Sequence, residues 1–418
     1  MDEGEHRKPV LDRPVRVMLL LESLHGGGAE RVAAHLARSN DPAVTDIRFA
    51  LIRKTGPFIA EIDDDQIDLL SMTAKAVPYN GPDSGYYRPD RMLALATLPP
   101  LDTAAVVRKR RPDVVMSFLK GMNLAAYGAM PLTGPQRPRW IAREGNHTGL
   151  VIESETQAGP VRSMIRSLTR RCYQGADCCL ANSRGLADMV VRDVGVKPER
   201  MRVIPNPVDI ARVRRLAAEP LPAPPERPFV VAAGRLDPQK AHDLLIRAFA
   251  AAPACRALDL VILGTGREEA ALRRLAAQLG VAERVRFAGF VANPWAYFAK
   301  AELFVLASHF EGFPSVVAEA LACGAPVLVT DCPYGPSEMV EDDQNGWIIP
   351  AGDADRLSSA MQSILEAPGH AAEVATRGPR SVQRFDLPHV VEAYSRLFIE
   401  QALARPARLR PRLQPAES

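Results

Sequence analysis

The chain has 418 residues, too long for a single domain of ordinary size, and at roughly 150 to 200 residues per domain it divides into two. With 47% hydrophobic and 24% charged residues it has the balance of a globular protein, which excludes a disordered or fibrous one. A net charge of +3 and only 6% aromatics argue against a nucleic-acid partner, which would require a basic stripe with interleaved rings.

Residues 1–9 mix acids and bases and precede the short apolar run Val15–Leu21, the pattern of a buried strand and not of a leader or membrane span. A cytoplasmic location is expected, with attachment to the inner face of the cell membrane left open. Further apolar runs at 46–52, 114–118, 140–142 and 178–181 are each followed by a helical pattern, so the first half reads as a parallel, doubly wound α/β sheet. The acidic triplet Asp63, Asp64 and Asp65 reads as a solvated loop despite its metal-like Asp-x-Asp spacing. Residues 160–173 have apolar positions at helical spacing, with Arg162, Arg166 and Arg170 on another face. Two readings stand there, a domain helix with a solvated basic side or a helix lying on anionic lipid. Prolines at 205, 207 and through 220–228 break the alternation and mark a linker. Alternation resumes at 229–233 and runs through 260–263, 285–287, 303–307, 327–330 and 347–349, giving a second doubly wound domain. Two such sheets place a ligand-binding cleft at the C-terminal ends of their strands. The six cysteines lie without a C-x-x-C pair or a neighbouring histidine, which points to buried free thiols and no metal site.

Two segments of the second half carry chemistry. In Ala233-Gly-Arg-Leu-Asp-Pro-Gln-Lys240 a glycine turn follows a strand and leads into a helix expected near Gln239; free N–H groups there, with Arg235 and Lys240, suit a diphosphate. In Ser308-His-Phe-Glu-Gly-Phe-Pro-Ser-Val-Val-Ala-Glu-Ala320 two carboxylates, Glu311 and Glu319, flank the start of another helix. Beside an anion they would accept hydrogen bonds from sugar hydroxyls. In the first half, the glycines at 26, 27 and 28 follow a strand, but a dinucleotide fingerprint would need glycine at position 31, where Arg31 stands. Their N–H groups better suit an acceptor or a distal phosphate. In Arg143-Glu-Gly-Asn-His-Thr148, which follows a strand, His147 and Glu144 are candidates, the latter for acceptor binding. The turn Cys332-Pro-Tyr-Gly-Pro-Ser-Glu338 offers further N–H groups or a purely structural bend.

Taken in order, Gly26-Gly-Gly-Ala-Glu-Arg-Val32, Asn206-Pro-Val-Asp209, Gly-Arg-Leu-x-x-x-Lys, Gly264-Thr-Gly266 and the E-x7-E pair Glu311 and Glu319 in Glu-Gly-Phe-Pro resemble the retaining GT-B glycosyltransferases of family 4. The likeness spans roughly residues 14 to 400, and Asp331-Cys-Pro-Tyr-Gly-Pro is similar to bacterial members that build polysaccharides and lipid-linked oligosaccharides. The resemblance implies a GT-B fold of two Rossmann-like domains facing each other across a cleft. An acceptor-side domain would span 14–205, a linker 206–228 and a nucleotide-sugar domain 229–380, followed by a helical segment 381–404 and a disordered tail 405–418. It further implies that Arg235 and Lys240 neutralise the donor diphosphate and that Glu319 holds the ribose. Glu311, Gly312, Phe313 and Pro314 would meet the donor sugar, while Gly264, Gly266, Arg267 and Val291 would lie near the nucleobase. His147 would approach the donor sugar, and Gly27 and Gly28 would face the cleft. The expected activity moves a sugar, from UDP by preference, to a glycan or lipid-linked acceptor with retention, without metal or cofactor. A nucleotide-sugar isomerase or hydrolase, or a non-catalytic nucleotide-sugar-binding module, stays open as the alternative.

Overall fold

Each apolar run of the sequence is a strand, and the central ones, such as 114–118, 178–181, 229–233 and 303–306, are buried on both faces, as a parallel sheet covered by helices on either side requires, while the edge runs 285–287 and 347–349 are only partly buried. The computed structural model describes residues 11–25, 27–76, 89–155, 159–221 and 223–404; Gly26 and the expected tail at 405–418 lie outside them. The first sheet contains β1 (Val15–Leu21), β2 (Thr45–Leu51), β3 (Ile67–Leu69), β4 (Val114–Phe118), β5 (Arg139–Glu144), β6 (Cys178–Ala181) and β7 (Met201–Val203). Its order is β3-β2-β1-β4-β5-β6-β7, parallel throughout. The second sheet contains β8 (Phe229–Ala233), β9 (Asp259–Leu263), β10 (Val285–Gly289), β11 (Leu303–Leu306), β12 (Val327–Asp331) and β13 (Trp347–Pro350), in the order β10-β9-β8-β11-β12-β13. In both, the first strand lies inside the sheet and the chain winds outward to each side, the doubly wound plan. The short edge strands β3 and β7 have three residues each, too few for periodicity to reveal them.

The chain folds as two units. One comprises the chain through Ala181, Val190–Ile204 and the chain from Val391 on; the other comprises Asn182–Met189 and Pro205–Val390. Alternation along the strands fills two cores in the second unit. Val231, Ala233, Val261, Phe304 and Val329 point to one side, where they meet Val213, Val317 and Leu321. Val230, Ala232, Leu260, Val305 and Leu328 point to the other, where they meet Leu245, Phe249 and Met361.

The stretch 206–228 contains a helix, Ile210–Ala217, opened by Asp209, whose carboxylate accepts from the Arg212 N–H at 3.0 Å. Ile210 and Val213 bury in the second unit's core. Likewise the C-terminal helix Leu387–Leu403 buries Tyr394, Leu397 and Phe398, residues assigned to the first unit. Asp63, Asp64 and Asp65 are exposed, with Asp64 paired to Lys54 at 2.7 Å. In the helix Pro160–Gly175 the expected apolar face of Val161, Ile165, Leu168 and Cys172 divides: Ile165 and Cys172 are buried, while Val161 stands exposed, as does Met164 outside that face. Among the described residues no helix is long and apolar enough to cross a membrane.

Candidate active site

In the second unit, three loops at the C-terminal ends of β8, β9 and β11 are stitched together by backbone hydrogen bonds. The loop after β8 lies directly on the loop after β9. Leu236 N–H donates to Thr265 O at 2.9 Å, and Glu268 N–H donates to Leu236 O at 3.0 Å. That approach explains two glycines: a Cβ on Gly264, which has φ +140°, would stand 1.9 Å from the Gly234 carbonyl oxygen, and one on Gly266 would stand 2.3 Å from the Leu236 oxygen. The loop after β11 joins through His309 N–H to Gln239 O (2.8 Å) and the Gln239 amide to Phe310 O (2.8 Å). It joins the turn after β12 through Glu311 N–H to Pro333 O (2.7 Å) and Tyr334 N–H to Glu311 O (3.0 Å).

Arg235, Lys240, Glu311 and Glu319 are all placed by this framework. Pro238–Lys240 forms a single 3-10 turn and Ala241 adopts left-handed angles (φ 47°, ψ 43°), so the α-helix starts at His242 and not at Gln239. The side chain of Lys240 turns back to Glu311, its Nζ 2.6 Å from Oε1, and the Ser308 hydroxyl donates to the same oxygen at 2.7 Å. Both members of the ion pair are largely buried, which sets it apart from the exposed Arg235 and Asp237 pair at 3.2 Å, whose energetic weight is small. The two expected cations are therefore unlike: Lys240 is fixed, and Arg235 extends into solvent. Pro314 is the cap residue of the helix Ser315–Ala322, and Phe313 packs edge-on against Phe385 at 5.1 Å. Gly312 is buried beside it, whereas Arg267 is exposed and Val291 packs partly against the core next to exposed Phe290.

Glu319 is buried within its helix, and its Oε2 accepts from the Trp295 indole N–H at 3.0 Å. The Arg212 guanidinium lies over that indole at 5.9 Å. Neither Trp295 nor Arg212 was singled out in the sequence, because an indole donor and a helix arginine have no motif spacing to betray them. Another residue overlooked is His242, 5% exposed, with its Nε2 lacking a hydrogen-bond partner. Burial, reinforced by the nearby Lys240 charge, pushes its pKa down to about 4, so the ring is neutral at pH 7. Cys332 and Cys323 are held up at about 12, chiefly by burial and secondarily by the charges of Glu311 and Glu319, which makes them inert as nucleophiles. Glu338 accepts from the N–H groups of Arg184 and Gly185, both at 3.0 Å.

In the first unit, Gly27 caps the helix Gly28–Ser39 with extended angles, and Glu30 turns its carboxylate back over Gly27, placing a negative charge at the positive helix end. Glu144, expected on the acceptor side, is instead 2% exposed at the end of β5 and accepts from several neighbours. His147 is half-buried just before the helix Thr148–Glu155, and burial lowers its pKa.

Two doubly wound units, the second carrying glycine turns, a buried Lys and Glu pair and a helix-borne carboxylate at its strand ends, define the GT-B class of nucleotide-dependent fold. The comparisons agree. Residues 27–207 match the family described as glycosyl transferase 4-like domain, and residues 213–381 match glycosyl transferases group 1. The N-acetylgalactosamine-N,N'-diacetylbacillosaminyl-diphospho-undecaprenol 4-alpha-N-acetylgalactosaminyltransferase of Campylobacter jejuni is 30% identical over 83% of this chain and 89% of its own. The lipopolysaccharide core biosynthesis glycosyltransferase LpsE of Rhizobium meliloti is 30% identical over 72% of this chain and 79% of its own. Among solved structures, Anabaena HepE in complex with UDP superposes with a TM-score of 0.69 at 20% identity, covering 92% of this chain and 100% of that one. The chain belongs to the group 1, family-4-like glycosyltransferases, and it is an enzyme of that transferase class.

Proposed function

We propose that the chain transfers a sugar from a nucleoside diphosphate, UDP by preference, to a hydroxyl of a glycan or lipid-linked saccharide, with retention at the anomeric carbon and without a metal or cofactor. The observation that carries this reading is the joined set of loops holding Lys240, Glu311 and Glu319 at the strand ends of the second unit. The UDP complex of HepE and the undecaprenol-linked substrate named for the Campylobacter relative support the donor and acceptor classes.

As the glycosidic bond breaks, negative charge gathers on the leaving diphosphate. Arg235, exposed and only weakly paired, can swing to it; Lys240 shares its charge between Glu311 and a phosphate oxygen. Glu311 thus keeps Lys240 in place before the donor arrives. Glu319, oriented by Trp295, accepts from the ribose hydroxyls, and Gly312, Phe313 and Pro314 present backbone to the sugar. Gly264, Gly266, Arg267 and Val291 border the base. In the first unit, Gly27, Gly28 and His147 serve the acceptor or the transferring sugar. The helix Pro160–Gly175, with exposed Val161 and Met164 among arginines, suits an anionic lipid surface that presents the acceptor.

The test is transfer by the purified chain from a panel of UDP-, GDP- and ADP-sugars to lipid-linked and soluble acceptors, with the product's anomeric configuration read by NMR. Lys240→Ala and Glu319→Ala should each lower transfer at least about 100-fold with the fold intact by circular dichroism. Donor conversion without acceptor would instead indicate an isomerase or hydrolase, and near-normal turnover in either variant would overturn the site. Pelleting with vesicles containing anionic lipid, lost in Val161→Asp/Met164→Asp, tests the membrane contact.

A further inference from the structure

Glu144 and His147 are three residues apart at the end of β5, and their hydrogen bonds make one device of them. Glu144 Oε1 accepts from the N–H groups of Gly145 (2.9 Å) and Asn146 (3.2 Å). Its Oε2 accepts from the Tyr173 hydroxyl at 2.5 Å and from the Thr148 hydroxyl. A carboxylate has about four lone-pair sites, and all are engaged inside a residue that is 2% exposed. No site remains for a substrate hydroxyl.

The donors behind it run in one direction. The Trp140 indole donates to Ser117 Oγ (2.8 Å), and the Ser117 hydroxyl donates to Asn123 Oδ1 (2.6 Å). Asn123 Nδ2 donates to the Tyr173 hydroxyl oxygen (3.0 Å), and Tyr173 donates to Glu144. Such a chain, ending on a carboxylate in a dry interior, is mutually polarised and stiff. Burial and the Glu144 charge hold the Tyr173 phenol far from ionising, so it stays a donor.

Both outputs of this chain act on the turn that carries His147. The Gly145 and Asn146 amides fix its entry, and the Thr148 hydroxyl fixes the first residue of the helix Thr148–Glu155. Within that frame His147 Nδ1 accepts from the Leu150 N–H at 3.1 Å, in the manner of an N-cap. A Cβ on Gly149 would come within 3.2 Å of the imidazole Cε1, so the ring rests against a glycine that has been left bare. With Nδ1 accepting, the neutral ring carries its proton on Nε2.

We propose that Glu144 is a positioning residue, and that through the 145–148 turn it holds His147 as a neutral Nε2–H donor to a hydroxyl of the bound sugar. This rests on the reading of His147 as a sugar-facing group. The half-burial that lowers the His147 pKa points the same way, since protonation would also set Nδ1–H against the Leu150 amide. A donor held neutral binds hydroxyl oxygen without drawing a phosphate to the wrong place.

The experiment pairs kinetics with 15N spectra of the full chain labelled at histidine. The wild type should show His147 as the Nε2–H tautomer at pH 7.5, titrating below the ordinary range. Glu144→Gln, Thr148→Val and Tyr173→Phe should each shift the His147 resonances and lower kcat, by about tenfold or more for Glu144→Gln, with KM values within about twofold. In the His147→Ala background Glu144→Gln should add no further loss, since the two act as one unit. If Glu144→Gln does not fold, judged by its melting curve, the other two variants carry the same comparison. An acceptor KM that rises with kcat unchanged, additive losses, or His147 resonances indifferent to the Glu144 change would overturn the proposal. If the wild type transferred no sugar at all, the functional reading would fail, while the spectra would still decide whether Glu144 positions His147.

Discussion

His242 occupies the first position of its helix beneath the loop that carries Arg235 and Lys240, hydrogen-bonded to the Arg235 backbone and with Nε2 unpartnered. Its folded pKa of about 4 lies below the ordinary 6.5, so the unfolded chain binds the proton more readily. Stability from this residue is complete above about pH 6.5 and is lost as pH falls toward 4, by about 2 kcal/mol at pH 5. We expect His242→Leu to flatten the pH dependence of urea unfolding between pH 6.5 and 4.5. A variant with the same slope as wild type would show that the ring does not remain neutral in the fold. The histidine escaped the sequence reading because its burial is set by packing under the loop, which no local spacing reports, whereas Lys240 two residues earlier stood out by its charge and its distance from Gly234.

The elements themselves were legible. Apolar runs bounded by glycine and proline found the long strands, since burial on both faces leaves little room for polar residues in β8 or β12. What failed to show was membership and register: the helix Pro89–Arg110 runs through Pro99 and Pro100, residues that local rules would place at a break. Site residues followed the same division. Glu311 and Glu319 stood out as candidates by their spacing, but the pairing of Glu311 with Lys240 and of Glu319 with Trp295 depends on loops brought together from distant parts of the chain. Gly264 tests how strictly those loops must meet. Gly264→Ala places a methyl 1.9 Å from the Gly234 oxygen and forces alanine to φ +140°, which should destabilise the second unit by roughly 3 kcal/mol or more. Nucleotide-sugar binding measured by calorimetry should fall with it; unchanged binding and melting temperature would show that the β8 and β9 loops can separate without cost.

At the scale of the molecule the first unit is not continuous along the chain: it is assembled from three stretches, the last beginning at Val391. The sequence read 381–404 as a helical segment after the second domain, which its position in the chain suggests and its burial alone can decide. Tyr394 is fully buried and its hydroxyl accepts from Nε of Arg143, a guanidinium that is 1% exposed beside the Phe118 ring. Leu397 and Phe398 add apolar burial, and Arg139 and Arg202 reach Gln401 and Glu400. Ending the chain at residue 390 removes these partners together. It takes the Tyr394 acceptor from Arg143, at about 1–3 kcal/mol, and exposes core that Leu, Phe and Tyr side chains had covered at roughly 1.5–3 kcal/mol each. That sum is comparable to the whole stability of an ordinary domain. We therefore expect the chain ending at 390 to lose native hydrogen-exchange protection in β4, β5 and β6 while β8, β9 and β11 keep theirs. A full chain with Tyr394→Phe isolates the hydroxyl and should cost only about 1–3 kcal/mol. Retained protection of β5 in the truncated chain would mean that the first unit closes its core without the returning helix.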